Sequence, residues 1–303
     1  MPEKNNNSVT HTTPADREIV ISRVFDAPVE LVWNAWVDPK QVAQWWGPIG
    51  FTTTIQKMEV RPGGIWEHTM HGPDGADYPN KSQFVEVVKH ERIVYTHGGG
   101  KEGGKGAHFT ATWTFEPDGD KTTLTIRMVF DTAEDRNFVV KEYGAIEGGK
   151  QTLGRLAEKL AATPIVMERV FDAPIDEVWS AITDIEKLRT WYFPQLSGFK
   201  TEVGFEFDFT MEHEGKKFVH LCKVKEVVAG KKLAYSWRYA GYPGDSLLTF
   251  ELSAEGSKTK LKFTHEGLET FVPEEHPEMA RKNFVMGWTH FITKALPQFV
   301  EQK

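Results

Sequence analysis

Arg23-Val24-Phe25-Asp26-Ala27-Pro28, followed by Val32-Trp33, returns as Arg169-Val170-Phe171-Asp172-Ala173-Pro174, followed by Val178-Trp179. From Arg23 to Arg169 is a step of 146 residues, the size of an ordinary domain, so one fold is written twice. Residues 19–25 are β-branched and aromatic and read as a strand, which Asp26-Ala27-Pro28 stops. Pro28 suits the first turn of a helix, because its φ is already helical and its missing N–H would have no partner there. Leu31, Val32, Ala35 and Trp36 then recur at helical spacing, as do Ile175, Val178, Trp179 and Ile182 in the second copy.

Outward from this stretch, the 303 residues divide into a polar tail expected to be disordered over 1–16, a first domain over 17–162 and a second over 163–303. Each copy continues through a short helical turn to paired aromatics before a proline, Trp45-Trp46-Gly47-Pro48 and Trp191-Tyr192-Phe193-Pro194. Period-two alternation follows and predicts half-buried strands: 51–60, then one carrying Trp66, His68 and Met70 on a single face, with Phe207, Phe209 and Met211 in register in copy two. Residues 82–88 and 93–97 match 218–228 and 233–239, and a hairpin over 113–130 has its twin at 249–262. Gly98 to Gly106 reads as a mobile loop whose lysine-interrupted glycines lack phosphate-loop spacing. A helix closes each copy. Leu153, Leu156, Ala157 and Leu160 form its stripe in the first, after a break or start expected at Gly148-Gly149. In the second, Trp288, Phe291, Ile292, Ala295 and Leu296 form the stripe until Pro297 disturbs the last turns.

Composition narrows the function classes. A net charge of −7 and a pI near 5.9 argue against nucleic acid as a partner. No apolar run is long enough for a membrane span and the N-terminus lacks a signal-peptide core, which makes the cytoplasm the expected location. Cys222 is the only cysteine, so no internal disulfide exists, and it reads as an inert packed thiol. His68-x-x-His71 is no metal pair, since on a strand the two side chains point to opposite faces; neither a metal nor a cofactor is expected.

The order of these motifs resembles the START-like superfamily and, within it, the family named for the activator of the ninety-kilodalton heat-shock protein ATPase. The residues that carry the resemblance are the Asp-Ala-Pro helices, Trp45-Trp46-Gly47-Pro48, Gly63-Gly64-Ile65-Trp66 with Met70, Arg92-Ile93-Val94-Tyr95, the hairpin and the long helix, over nearly the whole chain after the tail. The resemblance implies an α+β fold of two tandem helix-grip domains. In each, a curved antiparallel sheet wraps a long C-terminal helix, with a hydrophobic cavity between them. It implies a protein that binds a small hydrophobic molecule or lipid, more in the manner of a carrier than an enzyme. The alternatives are a polyketide cyclase/dehydratase-type enzyme and a co-chaperone in contact with the heat-shock ATPase. The eukaryotic activators carry a separate client-binding domain, which the residues before 17 are too few to supply, and this weakens the chaperone alternative. Copy one departs from the family with Gly149 where tryptophan usually follows glycine, a place that copy two fills with Trp288, so the first pocket is expected to be wider or differently capped.

Trp45, Trp46, Trp66, His68, Tyr95, Trp113 and Met128 are the candidate lining of pocket one. Trp191, Phe207, Phe209, His220, Trp237, Phe250, Phe263 and Trp288 are the candidates in pocket two. An apolar wall with a few polar groups is the usual make-up of a ligand site. His97 and His265 share faces with aromatics and join His68 and His220 as groups able to meet a polar atom. Arg127, Arg238 and Glu67 alternate away from the apolar faces, and no catalytic trio is legible.

Overall fold

A computed structural model describes residues 10–12, 16–100, 105–273 and 275–301. The chain divides into two compact units, 1–160 and 161–303, each with its own hydrophobic core. None of the described helices is long and apolar enough to cross a membrane.

The first unit has an eight-stranded antiparallel sheet. Its strands are β1 (Thr10–Thr12), β2 (Glu18–Phe25), β3 (Thr52–Met58), β4 (Ile65–His71), β5 (Asp77–Val88), β6 (Arg92–Gly99), β7 (Ala107–Asp118) and β8 (Lys121–Phe130), in spatial order β1-β2-β8-β7-β6-β5-β4-β3. Thr10–Thr12 pairs with Val20–Ser22 on the open edge of β2, so this part of the expected tail is extended and hydrogen-bonded; the rest of it, except Asp16, lies outside the described residues. Helices α1 (Val29–Val37), α2 (Pro39–Trp45), α3 (Ala133–Tyr143) and α4 (Ala145–Ala161) complete the unit. The second unit repeats it with β9 (Ile165–Phe171), α5 (Ile175–Thr183), α6 (Ile185–Trp191) and strands β10 (Glu206–His213), β11 (Lys216–Val228), β12 (Lys232–Tyr239), β13 (Ser246–Glu255) and β14 (Lys258–Glu266). Its six-stranded order is β10-β11-β12-β13-β14-β9. The closing helix is α7 (Arg281–His290), a π turn (Phe291–Ala295) and α8 (Leu296–Val300).

The repeated stretch works the same way in both units. Pro28 and Pro174 stand at the N-cap, with φ near −65° but extended ψ, one residue ahead of the first turn that the sequence reading gave them. The carbonyl before each proline is caught from the far hairpin, Ala27 by Thr122 Oγ1 and Ala173 by Thr259 Oγ1, both at 2.8 Å. Trp45 donates its indole N–H to the Ala35 carbonyl at 3.0 Å, and Trp191 donates to Ala181 at 2.8 Å. Each clasps its second short helix to the first. A β-bulge recurs too, after the Phe84–Tyr95 pair in one unit and the Val224–Tyr235 pair in the other, and bends each sheet at the same register.

The closing helix departs from the sequence reading in the first unit and follows it in the second, where the last turns are disturbed ahead of Pro297. In the first unit the break falls at Gly144, whose left-handed backbone (φ 58°, ψ 36°) caps α3, and α4 runs straight through Gly148-Gly149. Glycine inside a helix costs about 1 kcal/mol relative to alanine. Proximity accounts for it here: a Cβ on Gly149 would stand 2.5 Å from Ile21 Cδ1, and one on Gly148 would stand 3.2 Å from the Pro48 ring. In the second unit Pro297 does not end the helix. Proline has no N–H to give and its ring crowds the carbonyl one turn back, and the turn before it opens to π geometry.

Candidate functional site

Between the sheet of the first unit and helices α3 and α4 lies a cavity of about 290 Å³. Strands β4 to β8 supply its wall through Met70, Tyr95, Phe109, Trp113, Met128 and Phe130. Helix α4 supplies its floor through Ala145, Gly148, Gly149 and Thr152, and the loop after α2 supplies Trp46, Gly47, Pro48 and Phe51 at one side. Of the candidates, Trp46, His68, Tyr95, Trp113 and Met128 line the cavity. Trp45 and Trp66 do not. Trp45 is fully buried between α1 and α2, and Trp66 packs behind His68 with ring centres 4.4 Å apart, against Trp36 of α1.

The imidazoles of this cavity and the Tyr95 phenol are held uncharged. His68 accepts the Trp46 indole N–H on Nε2 at 3.1 Å, and burial, helped by His97, lowers its pKa to about 3. His97 bonds Ser82 Oγ through Nδ1 at 3.0 Å, stacks on Phe109 at 4.5 Å, and is held near 4 by burial and then by His108. Tyr95 takes the Trp113 N–H at 3.2 Å, and burial pushes its phenol up. His71 lies on the opposite face from His68 and meets Asp77 at 2.7 Å. Gly98 and Gly99 end β6, where a Cβ on Gly99 would collide with Asn80 Oδ1 at 2.4 Å; residues 101–104 of the glycine-rich segment lie outside the described residues.

The family profile described as Activator of Hsp90 ATPase homolog 1-like protein matches residues 26–161 and again residues 172–301. The chain belongs to that family. Similar solved structures include an Arthrobacter aurescens protein (28% identity, 51% of this chain and 92% of that one, TM-score 0.48). A Mycobacterium smegmatis protein is another (27% identity, 51% and 99%, TM-score 0.47). DynU16, from the dynemicin biosynthetic locus, spans both units (18% identity, 95% and 98%, TM-score 0.37). No curated protein matches the sequence.

The two Activator of Hsp90 ATPase homolog 1-like domains can be overlaid strand by strand from their pairing registers. With Trp66 matched to Phe207, His68 falls on Phe209, Asn80 on His220, His97 on Trp237, Gly99 on Tyr239 and Met128 on His265. Gly149 corresponds to Trp288. At most of these places copy two carries the larger side chain. Trp288 lies 4.5 Å from Phe263, 5.5 Å from Trp237 and 6.1 Å from Tyr192 by ring centres, and Phe209 is stacked between Phe193 and His220 at 4.2 Å on each side. Phe207 packs on Tyr235 and Phe250 on Phe263. The structure thus brings Trp191, Phe207, Phe209, His220, Trp237, Phe250, Phe263 and Trp288 together in one interlocked core, in which Trp191 also clasps α6 to α5.

His265 is fully spoken for in that core. It accepts the Trp288 N–H on Nδ1 at 2.9 Å, so its Nε2 donates to Ser246 Oγ at 2.8 Å, and Ser246 donates to the Trp237 carbonyl. Burial, then Arg281, lowers its pKa to about 3. His220 is lowered to about 4 by burial and bonds the Phe218 carbonyl. Cys222 is buried and its thiol pushed up, an unreactive state.

One residue that sequence reasoning missed organises the rim. Arg155 of α4 sends Nη1 to the carbonyls of Gly47 (2.9 Å), Phe51 (3.1 Å) and Pro48 (3.2 Å), and Nη2 to Gln44 (3.2 Å). Gln151, one turn earlier, accepts the Ile49 N–H at 3.1 Å. The loop that carries Trp46 is therefore tied to the same helix that floors the cavity. Nothing marks Arg155 in the sequence, where a cation on a helix reads as a solvated face.

Proposed function

We propose that the protein binds one small hydrophobic molecule per chain, in the first domain, while the second domain is a closed scaffold of the same fold. The observation that carries this is the exchange of Gly149 for Trp288: the same position leaves about 290 Å³ open in one copy and holds an indole in the other. The wall is apolar with a few hydrogen-bonding groups, the composition that small-molecule sites usually have. A carrier role fits better than turnover. His68 and His97 stand with Trp46 and Ser82 rather than with a charged partner, and a cyclase needs a base and a stabiliser for an enolate in one chamber.

Native mass spectrometry of the full chain purified from its own host tests the reading. One bound molecule per chain, released by denaturation and absent from a Gly149→Trp variant, is the expected result. Two guests per chain, or retention by the plugged variant, would overturn the assignment to the first domain.

A further inference from the structure

The chemistry of the guest can be taken further, and this step rests on the carrier reading above. On the inner face of the sheet, His68 of β4 stands directly across from Asn80 of β5, and Ser82, two residues along β5, stands across from His97 of β6. His68, Asn80 and His97 make a polar row in the cavity wall, with Ser82 buried behind His97. Because His68 receives the Trp46 N–H on Nε2, the neutral ring carries its own hydrogen on Nδ1. That nitrogen is buried without a partner among the described residues. Among the described residues His97 is hydrogen-bonded through Nδ1 alone, to Ser82, and Tyr95 accepts from Trp113 with its own hydroxyl hydrogen still to give. A buried donor left unmatched is costly, and one on a residue that borders a cavity can be matched by an acceptor from outside the protein.

Charge gives the second half of the argument. Among the described residues that line the cavity, the one carboxylate is Glu142, exposed at the rim, and none is a lysine or arginine. Arg155 turns its guanidinium to the loop carbonyls, and Lys105 is paired with Asp135 at 2.9 Å. Both cavity imidazoles are neutral near pH 7. A carboxylate drawn inside would lose its water and meet no cation, a transfer that is strongly unfavourable. As to size, about 290 Å³ compares with the ~150 Å³ that accommodates a single benzene ring.

We propose that the first domain selects an uncharged, flat molecule of two-ring size bearing one hydroxyl or carbonyl oxygen, which the His68–Asn80–His97 row reads, and that it rejects the carboxylate of the same skeleton. Isothermal titration of the full chain at pH 7 with 2-naphthol, 2-acetylnaphthalene, naphthalene and 2-naphthoate tests it. The two oxygenated neutral probes should bind most tightly, naphthalene roughly tenfold more weakly for want of the hydrogen bond, and 2-naphthoate weaker by about a hundredfold or more. His97→Phe should bring 2-naphthol down to the level of naphthalene while naphthalene still binds, which shows that the variant is folded. Comparable binding of 2-naphthoate and 2-naphthol, or a His97→Phe variant that keeps the preference, would overturn the proposal and leave the carrier reading intact. Failure of all four probes to bind would sink both.

Discussion

Replacing Trp288 with alanine should open the second domain, and free indole should close it again. The side chain packs on Phe263, Trp237, Tyr192 and Phe291 at ring-centre distances of 4.5 to 6.1 Å and gives its N–H to His265 at 2.9 Å. Truncating a buried tryptophan costs about 3–5 kcal/mol through lost burial and the cavity left behind, and the orphaned His265 nitrogen adds about 1 kcal/mol. Cys222 provides the assay. It is the only cysteine, is buried, and lies on β11 of this domain, so a thiol reagent reaches it only when the domain opens. Where reclosing outpaces labelling, the rate follows the population of the open form. A total loss of about 4–6 kcal/mol then corresponds to labelling about 900- to 25,000-fold faster than in the unaltered chain. Indole is the group the substitution deletes, so an excess of it should slow labelling again by binding the closed form. Labelling within tenfold of the unaltered rate, or a rate indifferent to indole, would refute the reasoning that Trp288 is the plug.

The mirror experiment is Gly149→Trp in the first domain. It should abolish binding of 2-naphthol at a cost of about 1–3 kcal/mol from overpacking against Ile21, read as a lower urea midpoint with a flat calorimetric trace; retained binding would show that the guest sits elsewhere. Arg155→Met should destabilise the first domain by about 2–4 kcal/mol, since a charged fork leaves its carbonyls unmatched, and Arg155→Lys should recover little of it because an ammonium cannot span them. Full recovery by lysine would mean that charge alone matters. For pH, His68, His97, His220 and His265 are all held below the ordinary 6.5, at about 3 to 4, so between those values the unfolded chain binds protons that the folded chain refuses. Stability should therefore fall as the pH drops through this window, by about 1.4 kcal/mol per pH unit for each fully titrating ring. Salt-bridged carboxylates such as Glu67 and Glu168 sit below 4.5 and act later. A urea midpoint unchanged from pH 7 to pH 5 would argue that these rings are charged in the fold.

The Asp-Ala-Pro repeat was enough to place both strand-to-helix starts, because proline, β-branching and helical spacing are local signals. Register could be followed the same way: Trp66, His68 and Met70 alternate, and Phe207, Phe209 and Met211 alternate with them. What alternation cannot tell is how far along a shared face the space extends. Trp66 and His68 lie on one face, yet only His68 reaches the void, since Trp36 of α1 covers Trp66. Trp45 misled for a related reason: its spacing says buried, and only the bond to Ala35 says against what. Helix α3 escaped notice because it buries little beyond Val139, although Thr132 capping the Asp135 N–H is a start signal that could have found it. The contrast between Gly149 and Trp288 was visible; that Phe209, Trp237 and Tyr239 also stand where the first copy has His68, His97 and Gly99 emerges only from the strand registers.

The grip of Arg155 has an evolutionary corollary. A guanidinium that recognises only main-chain oxygens is blind to the side chains hung on that main chain. Exposed positions on this segment, such as Gln44 and Ile49, can drift, trading one side chain for another, without loosening its anchorage to α4. A lineage could thereby retune what its vestibule admits by substitutions at the lip alone, leaving the sheet and the closing helix untouched.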